Sequence, residues 1–155
     1  MNQDFMQAAI KLSREKSWQG DGGPFGAVIV KDGKIIARGW NQVLRKNDPT
    51  CHAEMVAIRA ASRKLKDYRL TGCAIYASCE PCPMCLSALY WAGVEHIYFA
   101  ATRKDAAKLG FADDFLYQEL QCEPEKRTLP IEQMMRPEAV EVFNQWEKLE
   151  NKVIY

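Results

Sequence analysis

The dipeptide Asp32-Gly33 constrains the fold of this chain more than any other local feature. It separates two runs rich in apolar and β-branched residues, 25–31 and 34–40. Asp-Gly between two such runs is among the strongest short-range signals of a β-hairpin. The sequence therefore predicts an antiparallel pair of strands early in the chain, and the remaining segments must pack around it.

Apolar residues elsewhere in the chain recur at helical or strand spacing, and the two kinds of segment alternate. We predict helices over 4–17, from about 50 to 65, from 79–83 to about 92, and over 105–109, 113–120 and 137–149, and further strands over 73–78 and 95–100. The order of these elements, αββαβαβ followed by the C-terminal helices, predicts an α/β protein, a three-layer α/β/α sandwich with helices on both faces of a mixed central sheet. Residues 41–48 are expected to form a loop. The last helix is expected to bury Val140, Phe143 and Trp146.

Length and charge narrow the possible functions. At 155 residues the chain is expected to be a single domain, 1–155, whose segment 122–155 forms a C-terminal arm and helix. The 21 Lys and Arg residues against 20 Asp and Glu leave a formal charge of +1, whereas proteins that bind nucleic-acid backbones usually carry a clear basic excess. No apolar run reaches the roughly 20 residues of a membrane span, and residues 1–10 lack the pattern of a signal peptide. We expect a cytoplasmic protein that acts on a small molecule.

Cysteine spacing indicates a metal site. Three of the six cysteines, Cys79, Cys82 and Cys85, fall within seven residues. Together with His52, the pair Cys82 and Cys85 supplies the one imidazole and two thiolates of a catalytic zinc site that keeps its fourth position open. Both groups are expected at helix starts, where the helix dipole favours thiolates.

Glu54 is interpreted as a proton shuttle and not as a metal ligand, because a water on a neutral site needs a nearby base. In an ideal helix His52 and Glu54 point about 200° apart, so their cooperation requires a distorted first turn or a Glu54 side chain that curls back. A structural zinc site is the alternative, and Cys51 or Cys79 would then be its fourth ligand.

In this order and spacing the chain resembles the cytidine-deaminase-like zinc hydrolases, and among them the small bacterial guanine-deaminase branch. The resemblance covers nearly the whole chain and rests on Gly22-Gly23-Pro24-Phe25-Gly26-Ala27-Val28-Ile29-Val30, Asn47-Asp48-Pro49-Thr50, Ser78-Cys79-Glu80-Pro81-Cys82-Pro83-Met84-Cys85, Gly110-Phe111, Asn151-Lys152 and Tyr155. It implies a cytidine-deaminase-like fold, one Zn²⁺ per chain on His52, Cys82 and Cys85, and proton transfer by Glu54. It further implies a base pocket formed by Phe25, Asn41, Ala53, Trp91, Asp113 and Tyr155, with Asp114 as the alternative to Asp113.

The resemblance implies hydrolytic deamination of guanine to xanthine and ammonia, with Glu54 moving the protons. It also implies a homodimer that exchanges its C-terminal segments, so that each Tyr155 closes the partner's site. Two alternatives stay open at this point. One is a tRNA adenosine deaminase or another nucleobase or nucleoside deaminase. The near-neutral charge of the chain argues against the tRNA enzyme. The other is a non-enzymatic module stabilised by zinc.

Overall fold

The computed structural model describes residues 2–154, and its centre is a four-stranded mixed sheet. The strands are β1 (Gly26–Lys31), β2 (Lys34–Trp40), β3 (Cys73–Cys79) and β4 (His96–Ala101), in the spatial order β2-β1-β3-β4. β1 pairs antiparallel with both β2 and β3, and β3 pairs parallel with β4. The predicted hairpin and the predicted mixed sheet are both confirmed.

Seven α-helices and one 3₁₀ turn accompany the sheet in the described residues. They are α1 (Gln3–Ser17), α2 (Val43–Lys46), α3 (Ala53–Leu65), α4 (Pro83–Trp91), α5 (Arg103–Ala107), α6 (Asp114–Gln121), the 3₁₀ turn Pro124–Lys126, and α7 (Arg136–Glu147). The single turn α2 lies inside the segment expected to be a loop. α3 begins three residues later than the expected entry at Thr50, which changes the placement of His52.

Helices cover both faces of the sheet, as predicted. Alternate side chains of a strand point to opposite faces. On one face Val28, Val30 and Tyr76 pack against α1 through residues such as Phe5. On the other face a larger apolar cluster joins the sheet to α3 and α4, and its sheet residues include Ala27, Ile29, Ile75 and Ala77.

Two glycines of the hairpin allow α1 and α3 to approach it closely. A Cβ built on Gly26 would lie 2.4 Å from the carbonyl oxygen of Ala9 in α1. A Cβ built on Gly39 would lie 2.1 Å from the carbonyl oxygen of Ala53 in α3. Real Cβ atoms do not approach a backbone oxygen so closely, so both positions require glycine. The close approach at Gly39 brings the first turn of α3 into direct contact with β2.

The chain divides into two units, residues 2–117, which hold the sheet, and residues 118–154. The prediction that α7 buries its apolar stripe is wrong for this chain: Phe143 is 69% and Trp146 43% exposed, and Val140 is only half-buried. No residue of 118–154 is buried, so the apolar residues of this unit do not pack into a core that could cover the stripe of α7. Among the described residues, no helix has the length and apolar content to cross a membrane.

Candidate active site

Two residues that precede helices bring the metal-ligating side chains together. His52 is the N-cap of α3 and Cys82 the N-cap of α4, and both have extended backbones, with φ, ψ of −67°, 159° and −65°, 167°. Cys85 follows in the first turn of α4. Because His52 stands outside the helix, the 200° separation from Glu54 that an ideal helix imposes does not apply. The two helix starts converge, as the sequence predicts.

The three side chains have the spacing that a tetrahedral zinc ion requires. Nδ1 of His52 lies 3.5 Å from Sγ of Cys82 and 3.6 Å from Sγ of Cys85. All three ligand atoms lie within 4.8 Å of one another. Zn–S bonds of about 2.3 Å and Zn–N bonds of about 2.0–2.1 Å at a tetrahedral angle place nitrogen and sulfur about 3.6 Å apart. The donor set and its spacing therefore fit zinc.

The protonation of Cys82 and Cys85 also favours a bound cation. The pKa of Cys82 is lowered to about 4, chiefly because the Cys85 thiol donates a hydrogen bond to its sulfur, and His52 adds to the effect. The pKa of Cys85 is raised, chiefly because its proton is held in the hydrogen bond to Cys82. Burial and the nearby Glu54 carboxylate raise it further, because both disfavour a second negative charge. One thiolate thus forms readily, and a second is favoured only when a bound cation offsets the repulsion.

Glu54 lies beside this cluster, and its side chain is almost entirely shielded from solvent, with 7% of the residue exposed. Its Oε2 is 3.5 Å from Sγ of Cys85, and its carboxylate accepts a hydrogen bond from its own backbone N–H. The side chain therefore curls back toward the helix start. Burial raises the pKa of Glu54, and the Cys82 thiolate raises it further, which is the change expected of a group that exchanges protons near neutral pH.

The other two cysteines considered as ligands form different contacts. Sγ of Cys51 lies 3.1 Å from a carboxylate oxygen of Asp48, and Sγ of Cys79 lies 3.6 Å from the carbonyl oxygen of Thr102. Both are buried. Neither belongs to the three-residue cluster, and within residues 2–154 no fourth His, Cys, Asp or Glu completes it.

A cavity of about 820 Å³ opens above the cluster. His52, Glu54 and Cys82 line it together with three of the residues predicted to bind substrate, Phe25, Asn41 and Asp113. Of the two candidate carboxylates, Asp113 borders the cavity, whereas Asp114 forms an ion pair with Arg103 at 3.5 Å. Burial raises the pKa of Asp113, with a further contribution from the Cys82 thiolate.

Three predicted pocket residues are not found in the cavity wall. Ala53 is 1% exposed and packs in the core against β2, because the residue between His52 and Glu54 points toward the sheet. Trp91 is 74% exposed and does not line the cavity, because it ends α4, more than two turns beyond the metal-ligating start of that helix. Tyr155 lies outside the described residues.

The cavity also contains residues that sequence reasoning did not assign to it. Phe111 meets Phe25 edge to face, with ring centroids 5.0 Å apart, and these two rings form an aromatic wall. Arg103 stacks on Tyr117 at 4.5 Å, and Glu80 accepts a hydrogen bond from the Arg103 backbone N–H at 3.0 Å. Phe111 could have been assigned from the sequence, because Gly110-Phe111 is one of the segments that carry the family resemblance. Arg103 and Glu80 carry no local pattern that marks them.

An imidazole and two thiols at zinc spacing, beside a buried carboxylate at the base of a cavity, define a zinc-dependent hydrolase site. Residues 1–101 match the model of the cytidine and deoxycytidylate deaminase zinc-binding region, and the chain belongs to that family of deaminases. It is 48% identical to guanine deaminase of Bacillus subtilis, over 99% of both chains. The X-ray structure of guanine deaminase from the same organism superimposes with a TM-score of 0.96 at 49% identity, covering 100% of this chain and 99% of that one.

A second relative acts on a different substrate class. The chain is 34% identical to a tRNA-specific adenosine deaminase of Buchnera aphidicola, over 93% of this chain and 92% of that protein. The similarity to guanine deaminase is therefore both higher and more complete. The tRNA enzyme shares the family, so the zinc motif alone does not choose between a free base and an RNA.

Proposed function

We propose that this protein deaminates guanine to xanthine and ammonia, using one zinc ion held by His52, Cys82 and Cys85. The observation that carries the chemistry is the pair of nitrogen–sulfur distances, 3.5 and 3.6 Å, at the base of a cavity that also holds a buried carboxylate. The choice of guanine rests on the similarity to guanine deaminase along almost the whole chain.

When bound by His52, Cys82 and Cys85, zinc would supply a Lewis acid that activates a water molecule. Glu54 would accept a proton from the attacking water as the new C–O bond forms at C2 of the base. Glu54 then returns the proton to a ring nitrogen and assists the departure of the C2 amino group as ammonia. Water is consumed, the C–N bond breaks, a C–O bond forms, and no redox partner is needed.

The cavity wall orients the base for this attack. Phe25 and Phe111 offer an aromatic surface against which a planar ring can pack. Asn41 and Asp113 place an amide and a carboxyl at the cavity surface, where they can pair with the polar edges of the base. A site built on such pairs rejects bases that would leave its buried polar groups unsatisfied.

Ammonia release from a substrate panel tests the proposal. The panel contains guanine, guanosine, adenine, cytosine, cytidine and a tRNA with adenosine at the wobble position, and the zinc content of the protein is measured alongside. We expect guanine to be the preferred substrate. Release from the tRNA alone would replace the proposal with a tRNA adenosine deaminase. A zinc-loaded protein that releases no ammonia from any member would be a zinc-stabilised binding module.

We further propose a homodimer in which the C-terminal segments are exchanged and Tyr155 of each chain closes the partner's cavity. In support, no residue of 118–154 is buried, and α7 leaves Val142, Phe143 and Trp146 substantially exposed. Residues 122–135 contain Pro124 and Pro130 and only one short 3₁₀ turn, as suits a connecting arm. The cytoplasmic location expected from the sequence stays a prediction.

A further inference from the structure

The side-chain amide of Asn41 has a fixed orientation at the cavity. Its Oδ1 lies 3.2 Å from the backbone N–H of Val43. A backbone N–H can only donate, so the atom it meets must be the amide oxygen, and the NH₂ group of Asn41 is then the part that the side chain can offer to a bound base. Asn41 thus acts at the cavity as a hydrogen-bond donor.

Gly22 lies close to this amide. A Cβ built on Gly22 would lie 2.1 Å from Oδ1 of Asn41 and 2.9 Å from its carbonyl oxygen. The backbone of the loop before β1 therefore lies directly against the Asn41 side chain. Any displacement of Gly22 changes the space that this amide occupies.

Asp21, the residue before Gly22, ties the loop to the chain on both sides of Asn41. Its Oδ2 accepts a hydrogen bond from the indole N–H of Trp40 at 2.7 Å and one from the guanidinium of Arg45 at 3.3 Å. Its carbonyl oxygen accepts the backbone N–H of Arg45 at 3.1 Å. One residue thus connects the end of β2, the short helix α2 and the loop that carries Gly22.

We propose that Asp21 is a positioning residue: through Trp40, Arg45 and Gly22 it fixes the Asn41 amide as a donor toward an acceptor atom on the base. The inference rests on the proposed function for its substrate. Asp21 itself does not line the cavity. Its effect on selectivity is transmitted by Asn41.

A double-mutant cycle tests this on the zinc-loaded protein. Asp21→Ala should lower kcat/KM for guanine about tenfold, because a displaced polar contact misorients the bound base. Asp21→Asn keeps an oxygen for the Trp40 N–H and should recover most of that loss. In an Asn41→Ala background, Asp21→Ala should have no further effect, since Asp21 acts only through that amide.

The matched control is Asp67→Ala, which removes an aspartate that also pairs with an arginine, at 3.8 Å, but stands outside the cavity wall. It should leave kcat/KM unchanged. If Asp21→Ala does not fold, Trp40→Phe removes the indole donor, keeps an aromatic ring and should reproduce the loss. An equal effect of Asp21→Ala with and without Asn41, or an equal loss in Asp67→Ala, would overturn the proposal.

A readout without substrate separates this inference from the proposed function. The side-chain NH₂ resonances of Asn41, assigned by their loss in Asn41→Ala, should shift in Asp21→Ala and stay in place in Asp67→Ala. Shifted resonances in a protein that fails to deaminate guanine would leave the positioning role intact and refute only the substrate. Unshifted resonances would overturn the positioning role whatever the substrate.

Discussion

Glu54 is a carboxylate held in a site that disfavours its charge. It is buried, it lies 3.5 Å from the Cys85 sulfur, and the only hydrogen bond described for it besides that thiol contact comes from its own backbone. A group with those surroundings contributes little to folding when ionised, and such unfavourable burial is typical of catalytic positions. These surroundings therefore support the proposed role of Glu54 in proton transfer.

Replacing Glu54 with Gln tests that assignment. The amide has nearly the same shape but cannot accept the water's proton, so guanine turnover should fall by about 10²- to 10⁴-fold. Zinc content and the far-UV circular dichroism spectrum should match those of the wild type, because Glu54 is not a ligand. Turnover that stays within a few-fold of wild type would show that another group moves the proton.

At the scale of elements, the site depends on how closely α3 approaches β2. Gly39 has no Cβ where one would lie 2.1 Å from the Ala53 carbonyl oxygen and 2.6 Å from the Ala57 nitrogen. Ala53 is the first residue of α3, between His52 and Glu54. The close packing at Gly39 therefore determines how near the sheet His52 and Glu54 lie.

Gly39→Ala should destabilise the protein by about 2–4 kcal/mol, because backbone atoms of α3 would have to move away from an overpacked contact. Gly93→Ala is the matched control. Gly93 has a φ of +66° with open space around a Cβ, so its cost of about 1 kcal/mol is local backbone strain. Urea unfolding of both variants measures the difference, and weaker zinc binding should accompany Gly39→Ala alone. Equal destabilisation by the two substitutions would contradict the role given to this contact.

Sequence reasoning predicted the elements better than their ends. The hairpin was predictable because Asp32-Gly33 specifies a turn chemistry, and the metal cluster because its residue types and spacing are specific. The placement of His52 outside α3 was not, since apolar periodicity does not resolve which residue is the N-cap. Trp91 does not line the cavity of its own chain, because α4 carries it away from that cavity, and its assignment to the base pocket stays a prediction.

At the scale of the whole molecule, residues 118–154 contain apolar side chains that are not buried within this segment. Phe143 and Trp146 are exposed on α7, and Val153 and Ile154 are exposed beyond it. Large exposed apolar patches mark surfaces that another chain or segment covers. The exchanged arm of the proposed dimer would cover these side chains.

Removing residues 151–155 should leave the zinc content and the dimer intact and reduce guanine turnover at least about tenfold, because the cavity loses its closure. Mixing this truncated chain with Glu54→Gln chains, under conditions in which subunits re-pair, should restore part of the activity. The mixed dimer then has one site with an intact Glu54 and a complementing tail from the other chain. Absence of recovery, once mixed dimers are detected by mass, would mean that the tail acts within its own subunit or not at all.

His52 and Cys82 each lie directly before a helix, 30 positions apart along the chain. Zinc bound to both would therefore also affect the stability of the fold. An ion bound to both acts as a cross-link that closes a ring containing α3 and β3. As long as both bonds persist in the unfolded chain, a ring of this size restricts its conformations by an amount worth about 3–4 kcal/mol in the chain-entropy model. A bound zinc ion would thereby link the two segments that carry the site, as a disulfide would, and the free energy of unfolding would depend on whether zinc is bound.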